Sequence, residues 1–292
     1  TIAAGVRLGV PTPGSEFVAT ESEARAALAD ANWPIVVKPQ FSIAGSEMHD
    51  PEASETEASE AEECKISYAN SIGEVLARVK FAEGRYGFLL QEYCGGAGGG
   101  VELLVWEGHI QAAFQHRRLA EIPITGGASA LRESVPVDAK LLGHCADLVR
   151  DFNWSGLCMI EFRGEGDAAR LMEMNGRIWG SIPLAVQSGM DFPAKMMRLM
   201  TGEQQPVTTF ESIDQTYETG CRAYNPDLLA VWFGSVLRGD KHPVPTPSRL
   251  DVLRMARLTL SAKSDLADAQ DPEPGRGTGL RLVRKMAAKV LR

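Results

Sequence analysis

Two short runs carry the residue types that could do chemistry: Leu157–Arg163, LCMIEFR, and Leu171–Ser181, LMEMNGRIWGS. An imperfect alternation sets Leu157, Met159 and Phe162 away from Glu161, and Glu161 and Glu173 then lie on two short extended runs. If the two runs pair as strands across the loop Gly164–Ala169, both carboxylates and the Asn175 amide converge. Two acids and an amide oxygen form a hard-oxygen cage suited to Mg2+, or Mn2+, held in part by a nucleotide's phosphates. Arg177 follows at a distance suited to neutralising a transferring phosphoryl group. The plain alternative is an acidic hairpin with a solvated tip.

Other candidates lie upstream. Lys38 ends the apolar stretch PIVVKP, where it either meets an anion or ends in solvent. The following FSIAGS offers Ser42 and Ser46 as phosphate donors. No Gly-x-x-x-x-Gly-Lys-Ser or Gly-x-Gly-x-x-Gly element is present, so a nucleotide needs another cradle. Gln91, Glu92, Tyr93 and Cys94 end a strand and could offer backbone groups to an adenine edge, or simply terminate it. Glu102 could reach a ribose hydroxyl or be a surface acid. Arg117 and Arg118, beside Thr125–Gly127, read as a clamp for a carboxylate or γ-phosphate, or as a solvated hairpin end.

Positioning these groups requires an α/β framework. The spacing predicts helices over 21–31, 72–83, 139–151, 226–238 and 249–262, with helical segments between 183 and 200. It predicts strands over 35–38, 88–92, 101–106, 109–115 and 129–134, besides the two acidic runs. Antiparallel strands with helices on one side suggest an α+β lobe from about 86, preceded by a small α/β lobe over about 14–85. Residues 204–292 then form a mainly helical extension, with 271–279 a flexible linker to a basic tail.

Of 292 residues, 44% are hydrophobic and 23% charged, an ordinary globular balance. The net charge of −8 is local: Glu47–Glu63 holds eight acids and neither Lys nor Arg, leaving 30 basic against 30 acidic residues elsewhere. That run reads as a mobile loop directed outward. The basic tail lacks interleaved aromatics, which argues against nucleic acid. It could form an amphipathic membrane or partner helix, but a solvated helix is the simpler reading. Five widely spaced cysteines match no disulfide framework or zinc site, and with no leader-like start they suggest a reducing cytoplasmic setting.

Taken together, GVPTPGSEFV, WPIVVKP, FLLQEYCGG, HRRLAEIPITGGAS, LCMIEFR and MEMNGRIWGS resemble the ATP-grasp superfamily. Within it they resemble the carboxylate–amine ligases related to the carbamoyl-phosphate synthase large chain. The resemblance spans about residues 3–203. It implies two α/β lobes with a nucleotide cleft between them, Lys38 on the α/β phosphates of ATP, and Glu92 through Cys94 on the adenine. It also implies Mg2+ on Glu161, Glu173 and Asn175, with Arg177 stabilising phosphoryl transfer. The implied reaction activates a small-molecule carboxylate as an acyl phosphate, which an amine then attacks. Bicarbonate as the carboxylate, or a non-catalytic ATP-binding regulatory module, are the alternatives. A homodimer is compatible with the family. Members usually carry an amino-terminal domain before the point where this chain starts, so Thr1 reads as a fragment boundary. The usual ribose-binding acid after the hinge is replaced by glycines.

Overall fold

The computed structural model describes residues 1–40, 66–239, 241–266, 271–278 and 281. Ser42, Ser46, the acidic run and most of the basic tail lie outside the described residues. The chain divides into two compact units, Pro13–Gly95 and Thr1–Thr12 with Gly96–Arg292. Among the described residues, no helix is long and apolar enough to cross a membrane.

Among its described residues, the smaller unit is a four-stranded antiparallel sheet with two helices. Its strands β1 (Ser15–Val18), β2 (Ile35–Pro39), β3 (Ser67–Ala69) and β4 (Phe88–Glu92) lie in the order β1-β4-β2-β3. One helix, Glu21–Ala27, starts on a reciprocal capping box: Glu23 N donates to Thr20 Oγ1 at 3.2 Å, and Thr20 N donates to Glu23 Oε2 at 3.1 Å. It ends short of the expected Ala31. The other, Ile72–Ala82, is capped by Ser71. Val18, Ala24, Val37, Val75, Val79 and Phe88 fill the core between sheet and helices. The sequence reading assigned 88–92 to the larger lobe. It is instead an inner strand of this sheet, because alternation reports a strand's faces and not its partners.

The larger unit holds a seven-stranded sheet, ordered β11-β10-β7-β6-β5-β8-β9. Its strands are β5 (Gly98–Trp106), β6 (His109–Ile122), β7 (Ala128–Val135), β8 (Gly156–Arg163), β9 (Arg170–Asn175), β10 (Arg222–Tyr224) and β11 (Lys263–Ser264). Helix Ala139–Asp151 covers one face, with Leu142, Cys145 and Leu148 against Val101, Leu103, Val105, Ile160 and Phe162. Helices Ile182–Gln187 and Phe192–Met200 cover the other, where Leu184 and Phe192 meet Leu104, Phe114, Met159 and Trp179. The expectation of helices on one side is therefore corrected. Neighbours such as Leu103 and Leu104 point to opposite faces and are both buried, which requires cover on each side.

Other features complete the comparison with the sequence. Strand β6 runs to Ile122 instead of stopping at Gln115, which carries Arg117, Arg118 and Glu121 into the sheet. The region beyond 203 is mainly helical, as expected, and it also joins the sheet: β10 pairs with β7, β11 with β10, and the buried Arg132 is ion-paired with Asp265. Helices Pro226–Arg238 and Arg249–Thr259 pack there through Leu229, Trp232, Val236 and Met255. Residues 273–278 are helical where a flexible linker was expected, and helix Ile2–Arg7 was not anticipated.

Leu148 has no exposed surface and sits between helix and sheet. Leu148→Ala should lower unfolding stability by about 2–5 kcal/mol, read as a shifted urea transition.

Candidate functional site

Strands β8 and β9 pair antiparallel with Glu161 directly opposite Glu173, the arrangement their spacing suggested. Period-two alternation puts Asn175 on the same side as Glu173. The Asn175 amide Nδ2 donates to Glu161 Oε1 at 2.9 Å and to Glu173 Oε1 at 3.0 Å. The three groups therefore meet at one point. A half-turn of the amide would exchange its nitrogen for Oδ1, giving a third oxygen. Among the described residues no cluster of three or more His, Cys, Asp or Glu could hold a metal. Two carboxylates and an amide nevertheless fit a hard cation that takes its remaining ligands from phosphate and water.

Arg118 closes the set. Its Nη2 lies 2.6 Å from Glu161 Oε2, its Nη1 donates to the Gly127 carbonyl at 2.8 Å, and Nη1 is 3.5 Å from Glu121 Oε1. Burial disfavours its charge, but Glu161 and Glu121 outweigh that and raise its pKa above the ordinary value. It is a fixed cation. Glu121 also takes both oxygens to Arg163 Nη2, at 2.8 and 3.0 Å, and Arg163 Nη1 donates to the Gly96 carbonyl at 2.9 Å. Glycine makes this network sterically feasible. A Cβ on Gly98 would lie 2.6 Å from Glu121 Oε1, and one on Gly126, at φ +124°, would lie 2.7 Å from Arg163 Nη2. Sequence reading named neither Arg163 nor Glu121 as a site residue. Arg163 stands two positions beyond Glu161, on the same face of β8, which was the available signal.

Arg117 goes elsewhere. Successive strand residues face opposite sides, so Arg117 turns away from Arg118 and bonds Glu133 through Nε at 3.0 Å and Nη2 at 2.6 Å. Burial opposes the charge on Glu133, yet Arg117 and Arg222 hold its carboxyl below the usual range. The two arginines do not form one clamp, which corrects the sequence reading. Glu102 is corrected too, as neither a surface acid nor accessible to a ribose. It has no exposed surface, accepts from Ser181 Oγ at 2.9 Å, and lies 3.0 Å from His116 Nδ1. Arg177 is exposed in the turn after β9, donating to the Ile178 carbonyl at 3.2 Å.

The nucleotide candidates of the smaller unit are placed as follows. Lys38 is half-buried on β2, opposite Leu89. Gln91 is buried, its side-chain amide donating to Ser15 Oγ at 2.9 Å, and its strand is paired on both sides, with Ser15 and Val36 as its neighbours. Glu92 Oε2 accepts from Gly14 N at 3.1 Å, and Tyr93 meets Tyr68 edge-on with ring centroids 6.1 Å apart. Cys94 is partly exposed.

A family model described as ATP-grasp in the biosynthetic pathway with Ter operon matches residues 85–221. No curated protein matches in sequence. Among solved structures, a biotin carboxylase–beta-gamma-ATP complex from Campylobacter jejuni is similar at a TM-score of 0.53 and 15% identity, covering 73% of this chain and 47% of that one. The biotin carboxylase domain of the Hydrogenobacter thermophilus 2-oxoglutarate carboxylase, a dimer in complex with MgADP, ADP and bicarbonate, is similar at 0.51 and 16%. Coverage there is 73% of this chain and 47% of that one. The chain thus spans about half the length of these structures. The likeness at this identity is one of fold, and the fold is that of ATP-grasp proteins.

Two glycine substitutions should behave oppositely. Gly98→Ala drives a methyl into Glu121 and should cost about 1–3 kcal/mol. Gly143→Ala, inside a helix with nothing within 4 Å of the new Cβ, should gain roughly 0.5–1 kcal/mol. Thermal melts of the two variants check the contrast.

Proposed function

We propose that the chain is the ATP-grasp portion of a Mg2+-dependent ligase that activates a small-molecule carboxylate with ATP and couples it to an amine. The observation that carries this reading is the convergence of Glu161, Glu173 and Asn175, with Arg118 at 2.6 Å from Glu161. Glu161, Glu173 and Asn175 would hold Mg2+ or Mn2+, which supplies Lewis-acid neutralisation of phosphate oxygens when bound. In the smaller unit, Lys38 would meet the α/β phosphates, and Glu92 to Cys94 the adenine.

The substrate carboxylate attacks the γ-phosphorus of ATP and ADP leaves. Charge spreads over the equatorial oxygens at that step, and Arg177, exposed in the turn after β9, would neutralise it. Arg118, already fixed as a cation, adds positive potential from the sheet side. The acyl phosphate is then attacked at its carbonyl by the amine, forming an amide and releasing phosphate. No side chain of the protein becomes covalently modified. Water must be kept from the acyl phosphate, which otherwise hydrolyses.

A second reading takes bicarbonate as the activated carboxylate. Its support is the bicarbonate named with the Hydrogenobacter thermophilus structure. Both readings use the same carboxylates and differ in the acid that stimulates ADP release. An exposed side chain like Glu173 can be changed at small cost to stability. Glu173→Gln should lower substrate-dependent ADP formation by about 10²–10³-fold while leaving the melting temperature within a few degrees. A coupled ADP assay across carboxylates, amines and bicarbonate tests both points. Unchanged turnover in that variant would remove Glu173 from the metal role.

A further inference from the structure

The proposed chemistry has no use for Glu121 and Arg163, yet both are built into the site with care. Glu161 offers two oxygens, and each is engaged: Oε1 by the Asn175 amide, Oε2 by Arg118. A divalent cation held by Glu161 must compete with a guanidinium for the same carboxylate. Arg118 is only 9% exposed along its side chain, so losing Glu161 would leave a buried cation in need of another partner. That partner is present. Glu121 Oε1 lies 3.5 Å from Arg118 Nη1, within reach of a rotation of the guanidinium and without movement of the strand. Arg163 holds Glu121 there with both carboxylate oxygens, and the Gly96 carbonyl holds Arg163. Gly98 and Gly126 leave the room that the three side chains occupy.

We infer that Glu121, positioned by Arg163, is the counter-ion onto which Arg118 turns when a divalent cation takes Glu161, and that it thereby sets the metal affinity of the site. This rests on the metal role given above to Glu161 and Glu173. Glu121 is a positioning residue: it acts through Arg118 and touches neither metal nor substrate. Without it, Arg118 keeps Glu161 as its sole carboxylate partner in this network, and the cation competes at a disadvantage. Without Arg163, Glu121 carries an uncompensated charge, draws Arg118 more strongly and frees Glu161.

Mn2+ titration of the full chain, followed by the loss of the free-ion paramagnetic resonance signal, reads this without any turnover. Glu121→Gln should weaken Mn2+ binding roughly tenfold, and Arg163→Met should tighten it by a similar factor. General damage to the fold would weaken binding in both. Arg118→Met should also tighten binding, and in that background the added Glu121→Gln change should fall within about twofold. A distant field effect of one lost carboxylate would persist there, and its persistence overturns the inference. So does Mn2+ affinity unchanged by Glu121→Gln in a chain whose binding is lost on Glu173→Gln. If Glu121→Gln does not fold, the sign of the Arg163→Met effect decides, with weaker binding counting against the inference. Wild-type chain that fails to bind Mn2+, or binding that survives Glu173→Gln, removes the metal site itself and this inference with it.

Discussion

Two carboxylates directly opposite one another on paired strands repel, and Glu161 and Glu173 are held in that register by a ladder of backbone hydrogen bonds. Their neighbours can be understood as answers to that repulsion. The Asn175 amide spans both acids, and Arg118 pairs with the more sheltered of the two. Arg118 is itself shielded from water, and Glu121 and the Gly127 carbonyl both lie against its Nη1. Arg163 in turn balances Glu121. Charge compensation propagates outward from one strand pair, and each step uses a side chain on the same face of the sheet.

The framework makes such placement accurate. The sheet is covered on both faces by helices, so its middle strands are locked between two apolar layers. Glu102, His116 and Ser181 form a polar group within the second layer, adjoining the acidic site along β5 and β6. A buried carboxylate beside a histidine and a serine hydroxyl restricts the rotamers of all three.

Helix limits set by capping or by proline read well from the chain. Ser71 with its helix through Ala82, and the helix Ala139–Asp151, follow from side-chain oxygens placed before a 3.6-residue apolar period. The strand Phe88–Glu92 was equally legible as a strand, but not its sheet, since membership depends on a pairing with Ile35–Pro39 across a long sequence separation. The short strand Arg222–Tyr224 had too few residues to show a period. Its existence follows from the exposed edge of β7 that it completes.

For the site, sequence alone determined the cast: two glutamates and an asparagine spaced so that, on adjoining strands, alternation brings them to one side. That much needs only the pleat. Which arginine joins them was decided by tertiary structure. Arg117 and Arg118 are chemically identical neighbours, and only the register of β6 against β5 and β7 assigns one to Glu133 and the other to Glu161. The same holds for Glu102, whose burial is fixed by helices that arrive from far along the chain. Local spacing specifies a direction relative to the strand; what lies in that direction is specified by long-range packing.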